Sequence, residues 1–181
     1  MYQVRPLGAS DVDAFRRVRL EALRLHPDAF GSAYEDEVQL DRAQFAERLA
    51  APRFTRFGGF TGDDLVGLVG LQVRAGTKER HKGHLFSMYV DAAHRRSGLS
   101  EQLVNAVIAG ARDADAVLVH LSVSSSNTNA KRFYRRMGFT VYGVERRSLK
   151  VGDRFHDEDL MVLHLDGFRE PTSEGDSGAV K

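Results

Sequence analysis

Arg95, Arg96, Ser97, Gly98, Leu99 and Ser100 bring two guanidinium groups, two hydroxyls and a glycine together, between an apolar run ending at Val90 and a helical pattern starting near Leu99. Such a turn gathers loop N–H groups beside the four amides that a helix leaves unpaired at its start, and the helix dipole adds favourable potential. The chemistry this suits is anion binding, above all of a phosphate, which Gly98 lets approach without a Cβ in the way. Similar turns also open helices that bind nothing, so this segment alone leaves both readings standing.

A second set of residues lies in NTNAKRFYRRMGF, where Asn127, Ala130, Tyr134, Gly138 and Phe139 follow the apolar run VLVHLSV. Taken singly, Asn127 is a helix N-cap, Ala130 and Phe133 are core positions, and Gly138 is the residue that ends the helix. Tyr134 is either a packed aromatic or a phenol placed to donate a proton. The carboxylates available to accept one are Glu35 and Glu37 in HPDAFGSAYEDEVQL, and Asp157 and Glu158 in FHDEDLMVLHL. Each of these also reads as a solvated surface charge. His120 either relays a proton or faces a packed layer. His81 and His84 stand three apart with no third ligand at metal-site spacing, so no metal is expected.

These residues need elements to hold them. Tyr2 to Arg5 reads as a short strand, and Ser10 with Asp13 predicts the start of a helix carrying Phe15, Val18, Ala22 and Leu25 on one stripe, stopped near Pro27. Asp41 with Gln44 opens a second helix through Phe45 and Leu49. TRFGGF and LVGLVGLQV flank Gly62, Asp63 and Asp64 as a β-hairpin. In HLFSMYV, alternation puts Phe86, Met88 and Val90 on one face and Leu85, Ser87 and Tyr89 on the other. Leu99, Leu103, Ala106, Val107 and Gly110 mark one side of a helix, and VLVHLSV reads as a central strand covered on both faces. A further helix carries Ala130, Phe133, Tyr134 and Met137, and two last strands meet at Gly152-Asp153. Residues 1–168 are expected to form one domain, and 169–181 a flexible tail.

Taken together, the two chemical segments resemble the GNAT superfamily of N-acetyltransferases. That family's pyrophosphate loop reads Arg/Gln-x-x-Gly-x-Gly/Ala and its later helix Asn-x-x-Ala-x-x-x-Tyr-x-x-x-Gly-Phe. Here the loop is Arg95 to Ser100, with Ser100 in place of the last small residue, and the helix matches at all five positions. The resemblance extends, as an order of elements, over residues 2–165. It implies an α/β (α+β) fold: a mixed, mostly antiparallel sheet of six or seven strands with helices on both faces and two splayed central strands, HLFSMYV and VLVHLSV.

The same resemblance implies that acetyl-CoA lies between those strands and that its acetyl group passes directly to a primary amine of a small molecule, peptide or protein. Met88, Tyr89 and Val90 would bond the pantetheine arm through their backbone, and Arg95, Arg96, Ser97, Gly98, Leu99 and Ser100 would hold the pyrophosphate. Asn127, Ala130, Phe133 and Tyr134 would line the far side, with Tyr134 as general acid to the departing thiolate. Many members carry a glutamate base on the strand before the loop, and HLFSMYV has none. Glu35 or Glu37, in the loop that borders the family's acceptor site, takes that role in this reading. The alternative is an acyl-CoA-binding module that catalyses nothing.

Composition narrows the remaining classes. The 26 Lys and Arg against 25 Asp and Glu give a net charge of +1, no global field for nucleic acid, and no nucleic-acid partner is expected. The absence of cysteine excludes disulfides and a thiol nucleophile and suits the cytoplasm. No run approaches the roughly 18 apolar residues of a membrane span, so no membrane partner is expected. The motifs for dinucleotide, nucleoside-triphosphate and serine-hydrolase chemistry are missing. The strand edges and final hairpin leave room for a homodimer.

Overall fold

In the computed structural model, which describes residues 1–168, the apolar stripes become β1 (Gln3–Pro6), α1 (Val12–Leu25), α2 (Tyr34–Glu37), α3 (Arg42–Ala50), β2 (Phe54–Thr61), β3 (Asp64–Val73), β4 (Lys82–Val90), α4 (Leu99–Asp113), β5 (Leu118–Ser124), α5 (Thr128–Arg136), β6 (Thr140–Val151) and β7 (Arg154–His164). The flexible tail expected over 169–181 lies outside the described residues. Seven strands form one sheet in the order β1-β2-β3-β4-β5-β7-β6, antiparallel throughout except between β4 and β5. This is the mixed, mostly antiparallel sheet expected.

Helices cover both faces. On one face Phe15, Val18 and Ala22 of α1 and Phe45 of α3 pack with Leu65, Leu68 and Tyr89. On the other, Leu99, Leu103 and Val107 of α4 and Tyr134 of α5 join Val69, Leu85, Val119 and Met161. The α1 stripe ends at Leu23, which is buried; the expected Leu25 is exposed. The chain enters α1 through a turn of 3-10 helix at Ala9–Asp11. The capping carboxylate is Asp11 rather than Asp13: it accepts hydrogen bonds from the Gly8 N–H at 2.8 Å and from both terminal nitrogens of Arg5. The second capping box is as expected, with Asp41 accepting from the Gln44 N–H and Gln44 Oε1 from the Asp41 N–H.

Three features of the sheet position the site. Gly59 on β2 leaves room for the first turn of α4, since a Cβ there would stand 2.5 Å from Leu99 Cδ1; α4 therefore begins close against the sheet. Ser87 in β4 takes a φ of +55°, and the β3–β4 register slips between Leu68 and Gly70. The resulting bulge breaks the expected alternation, so that Leu85 and Val90 face α4 while Tyr89 faces α1. Lastly, the parallel β4–β5 ladder has only the pairs Lys82–Leu118, Gly83–Val119 and His84–His120. Beyond His84 the two strands diverge, and the edges they turn toward each other carry no strand partner. β5 is covered unevenly, contrary to expectation: Val119, Leu121 and Val123 are buried, whereas on the opposite face Ser124 is buried, Leu118 and His120 are half-buried and Ser122 is exposed.

Candidate active site

The fork between β4 and β5 opens into a cleft of about 680 Å³ whose walls include Met88, Tyr89 and Val90 of β4, Arg95, Arg96 and Ser100 of the loop, and Asn127, Ala130, Phe133 and Tyr134 at α5. Residues far apart in the chain thus converge on one groove, as the two motifs suggested. In its left-handed conformation at φ +86°, Gly98 turns the chain into α4, and a Cβ at this position would meet nothing. The backbone conformation, not crowding, is what calls for glycine.

Other loop residues have structural duties. Arg95 donates through Nε to the Val90 carbonyl at 3.1 Å and through a terminal nitrogen to His26 Nε2 at 3.0 Å. Ser97 Oγ donates to the His94 carbonyl. The Leu99 side chain is fully buried against Gly59 and Gly67, which leaves its backbone to face a ligand. Seven cleft residues that the motifs did not single out, His26, Ala29, Phe30, Glu101, Asn129, Arg132 and Arg136, complete the walls, with Glu101 3.8 Å from Arg136. With Arg95 and Arg96, the two α5 arginines surround the cleft with cations, and a phosphate-rich ligand fits such walls.

Tyr134 is almost fully buried, its ring packed between Phe133 and Phe139 at centroid distances of 5.2 and 5.7 Å. Its hydroxyl has no hydrogen-bond partner among the described residues, and burial drives its pKa well above the ordinary 10.0. It is therefore a protonated phenol bordering the cleft. The Tyr89 phenol, by contrast, is engaged: it donates to Glu21 Oε1 at 3.1 Å, and burial with that carboxylate nearby pushes it up to about 12. Asn127 does cap α5, its side-chain oxygen accepting from the Ala130 N–H at 3.0 Å, while also lining the cleft.

A second pocket, of about 540 Å³, lies between the end of α1, the following loop and the β6–β7 hairpin. Its walls include Arg24, Phe30, Tyr34, Glu35, Ser148 and Lys150. Phe30 lines both spaces, so the two adjoin. Glu35 is exposed on the wall of this pocket. Glu37 is not: it is 1% exposed, accepts from Arg19 Nε and a terminal nitrogen at 3.0 and 2.8 Å, and pairs with Arg48 at 3.0 Å. Despite the cost of burial, Arg19 and Arg48 hold its pKa below the ordinary value. A carboxylate so paired is a poor proton acceptor, and Glu37 drops out as a base. Arg19 also donates to Ser87 Oγ at 3.0 Å and stacks over Phe30 at 5.3 Å. One buried guanidinium thus ties the β4 bulge to the ring shared by both pockets. His120 meets Tyr142 edge-on at 5.3 Å, and its buried Nδ1 has no partner among the described residues.

Comparison with known proteins supports the same chemistry. Residues 19–139 match the model of the acetyltransferase (GNAT) family. An uncharacterized N-acetyltransferase of Mycobacterium tuberculosis is 29% identical over 71% of this chain and 79% of its own length. The N-alpha-acetyltransferase RimI of the same organism is 30% identical over 60% of this chain and 66% of its own. Among solved structures, the Salmonella typhimurium protein yncA, determined with its cofactor acetyl-CoA, superposes with a TM-score of 0.80 at 21% identity, covering 96% of this chain and 99% of that one.

Proposed function

Because the chain belongs to the acetyltransferase (GNAT) family, an enzyme family that moves acetyl from acetyl-CoA to an amine nitrogen, we propose how its two pockets divide that task. The β4–β5 fork takes the pantetheine arm of acetyl-CoA along the unpaired edge of Met88 to Val90. Arg95, Arg96, Ser97, Gly98, Ser100 and the Leu99 backbone take the pyrophosphate, and Asn127, Ala130 and Phe133 wall the cleft beside Tyr134. The second pocket takes the acceptor, with Glu35 attracting its ammonium group. As the amine nitrogen bonds to the acetyl carbon, the carbon–sulfur bond breaks and Tyr134 gives its proton to the departing sulfur. The observation that carries this reading is a buried, unpartnered phenol on the wall of a fork that opens beyond three backbone rungs.

The acceptor class is a primary amine of a small molecule, a peptide or a protein. The RimI relative, an N-alpha-acetyltransferase, favours including peptide N-termini among the candidates. Residues 1–168 act as one catalytic domain in this reading, in the cytosol. No helix among the described residues is long and apolar enough to cross a membrane. The exposed Tyr142 and Val144 on edge strand β6 suit a homodimer.

Calorimetric titration with acetyl-CoA tests the cofactor site. Wild type is expected to bind in the micromolar range, and Gly98→Glu, which adds both positive-φ strain and a negative charge, to bind at least about 100-fold more weakly. A folded wild-type protein that binds no acetyl-CoA would sink the assignment. An amine panel follows, read by release of the coenzyme thiol: n-butylamine, spermidine, tyramine, an aminoglycoside, an alanyl peptide and a lysyl peptide with a blocked N-terminus.

A further inference from the structure

Glu35 is the carboxylate on the wall of the second pocket; those on the neighbouring elements are not equivalent to one another. Glu37 is held by Arg19 and Arg48. Asp157 accepts from Arg146 and from the Arg147 N–H, and Asp159 pairs with Lys131 and accepts from Ser125. All three have pKa values held below their ordinary range by those partners. Glu158 on β7 differs: it is half-buried and has no Lys or Arg partner among the described residues. Its Oε1 accepts from Ser122 Oγ at 3.1 Å and its Oε2 from Ser148 Oγ at 2.6 Å. Each oxygen keeps a further acceptor site.

The two serines say where this carboxylate sits. Ser122 belongs to the β5 arm of the fork, past the last rung at His84–His120. Ser148 lines the second pocket. Glu158 itself lines neither space, but its two hydrogen-bond partners belong one to the β5 arm of the fork and one to the wall of the acceptor pocket. Ser148 reaches it because β6 bulges: between the pairs Glu145–Glu158 and Leu149–His156, Arg147 takes a φ of +55° and Asp157 secures the extra residues. The charged or titratable groups on the Glu158 face include Glu145, its register partner on β6, and His156, two residues along β7, with His84 of β4 across the fork's apex.

We propose that Glu158 is the group that takes the proton from the acceptor amine, with Ser122 and Ser148 fixing the direction of its two oxygens. This rests on the acetyltransfer reading above. The ammonium N–H bond breaks and its proton goes to the Glu158 carboxylate; the freed lone pair forms the bond to the acetyl carbon as the carbon–sulfur bond breaks. The sulfur takes the Tyr134 proton, and a second proton lost from the nitrogen restores the phenol. One proton leaves to solvent from Glu158, so the step balances. His84 and His120, at the fork's apex, are both kept below the ordinary histidine value by burial and nearby cations, against a smaller opposing pull of Glu158 on His84, which disfavours a positive charge beside the carboxylate.

The test uses the full chain as wild type, Glu158→Gln and Glu158→Asp, saturated with acetyl-CoA. The probes are the panel amine that wild type turns over fastest and hydroxylamine, which is uncharged at neutral pH and needs no initial deprotonation. Glu158→Gln is expected to lower kcat for the amine at pH 7 about 100-fold, yet less than about 10-fold for hydroxylamine. Acetyl-CoA affinity should hold within about threefold, and the acidic limb of the amine's pH profile should vanish. Glu158→Asp, which keeps the carboxylate, should recover part of the loss even if both variants melt lower than wild type. Equal losses with both probes, an unchanged pH profile, or an Asp variant no better than Gln would overturn the proposal while leaving acetyltransfer intact. A wild type that binds acetyl-CoA but turns over no amine would withdraw the acceptor reading and this assignment with it.

Discussion

Replacing Tyr134 with phenylalanine is expected to lower kcat by about 100- to 1,000-fold and to leave acetyl-CoA affinity within about threefold of wild type. The substitution keeps the ring that packs between Phe133 and Phe139 and removes an oxygen that has no partner in the described protein, so neither the core nor the cleft wall is disturbed. What is lost is a proton source. Because burial raises the phenol's pKa above 10.0, it is protonated throughout the physiological range, and this group puts no basic limb into the wild-type profile below pH 10. Initial rates of thiol release across a pH series, beside calorimetric binding, check both parts. A phenylalanine variant that turns over like wild type would reduce Tyr134 to a packed aromatic.

The second large effect is on stability. Glu37→Gln leaves Arg19 and Arg48 without their shared anion, beside Arg56, whose pKa burial and these neighbouring cations have already lowered to about 10. Breaking a buried ion pair typically costs about 3–5 kcal/mol. That range applies to the Arg19–Glu37 contact, where both side chains are under a tenth exposed, more than to the Arg48 contact, where the arginine is 40% exposed and solvent screens it. Urea unfolding should show a lower midpoint at neutral pH with an unchanged slope. The dependence on pH has a definite sign. Glu37 has a folded pKa below its ordinary 4.5, so its stabilisation is complete above that value and is lost as pH falls through the depressed folded value. The gap between wild type and variant should therefore close in acid. A gap that stays constant from pH 7 to pH 3 would mean that Glu37 contributes through shape alone.

What could be read in advance, and what could not, follows from the range of the interactions. The Asp41–Gln44 box, the Gly62 hairpin turn and the two motifs are local patterns whose residues act within a few positions of one another, and the structure has them where the sequence puts them. The bulge at Ser87 is different. Serine has no special liking for a φ of +55°, and what accompanies it is Arg19, nearly seventy positions away. Alternation along HLFSMYV accordingly holds only up to that point. Glu37 was indistinguishable from its neighbours in YEDE, because four residues are too short to show which side of a turn points inward. The importance of Glu158 depended on an exposed Ser122 and on a bulge in β6, both products of strand pairing. For the same reason Arg19, Arg132 and Phe30 were invisible as site residues: each stands in an ordinary amphipathic or loop context, and only the packing of distant segments brings it to a cleft.

The short β4–β5 ladder also has a mechanical side. Strands β1 to β4, with α1, α3 and most of the packing of α4, make one plate; β5, β7 and β6 make another; three rungs of parallel ladder join them at one end. The core under α4 also joins the two plates, but beyond the seam the backbone amides that β4 and β5 turn toward each other have no strand partner to protect them from exchange with solvent. A ligand arm that bonds to both edges acts as a splint. Acetyl-CoA should slow hydrogen exchange at residues 85–90 and 121–124 more than anywhere on the outer strands, with release of the product coenzyme loosening the seam again. The molecule that supplies the acetyl group would then also be the one that stiffens the catalyst for the duration of each turnover.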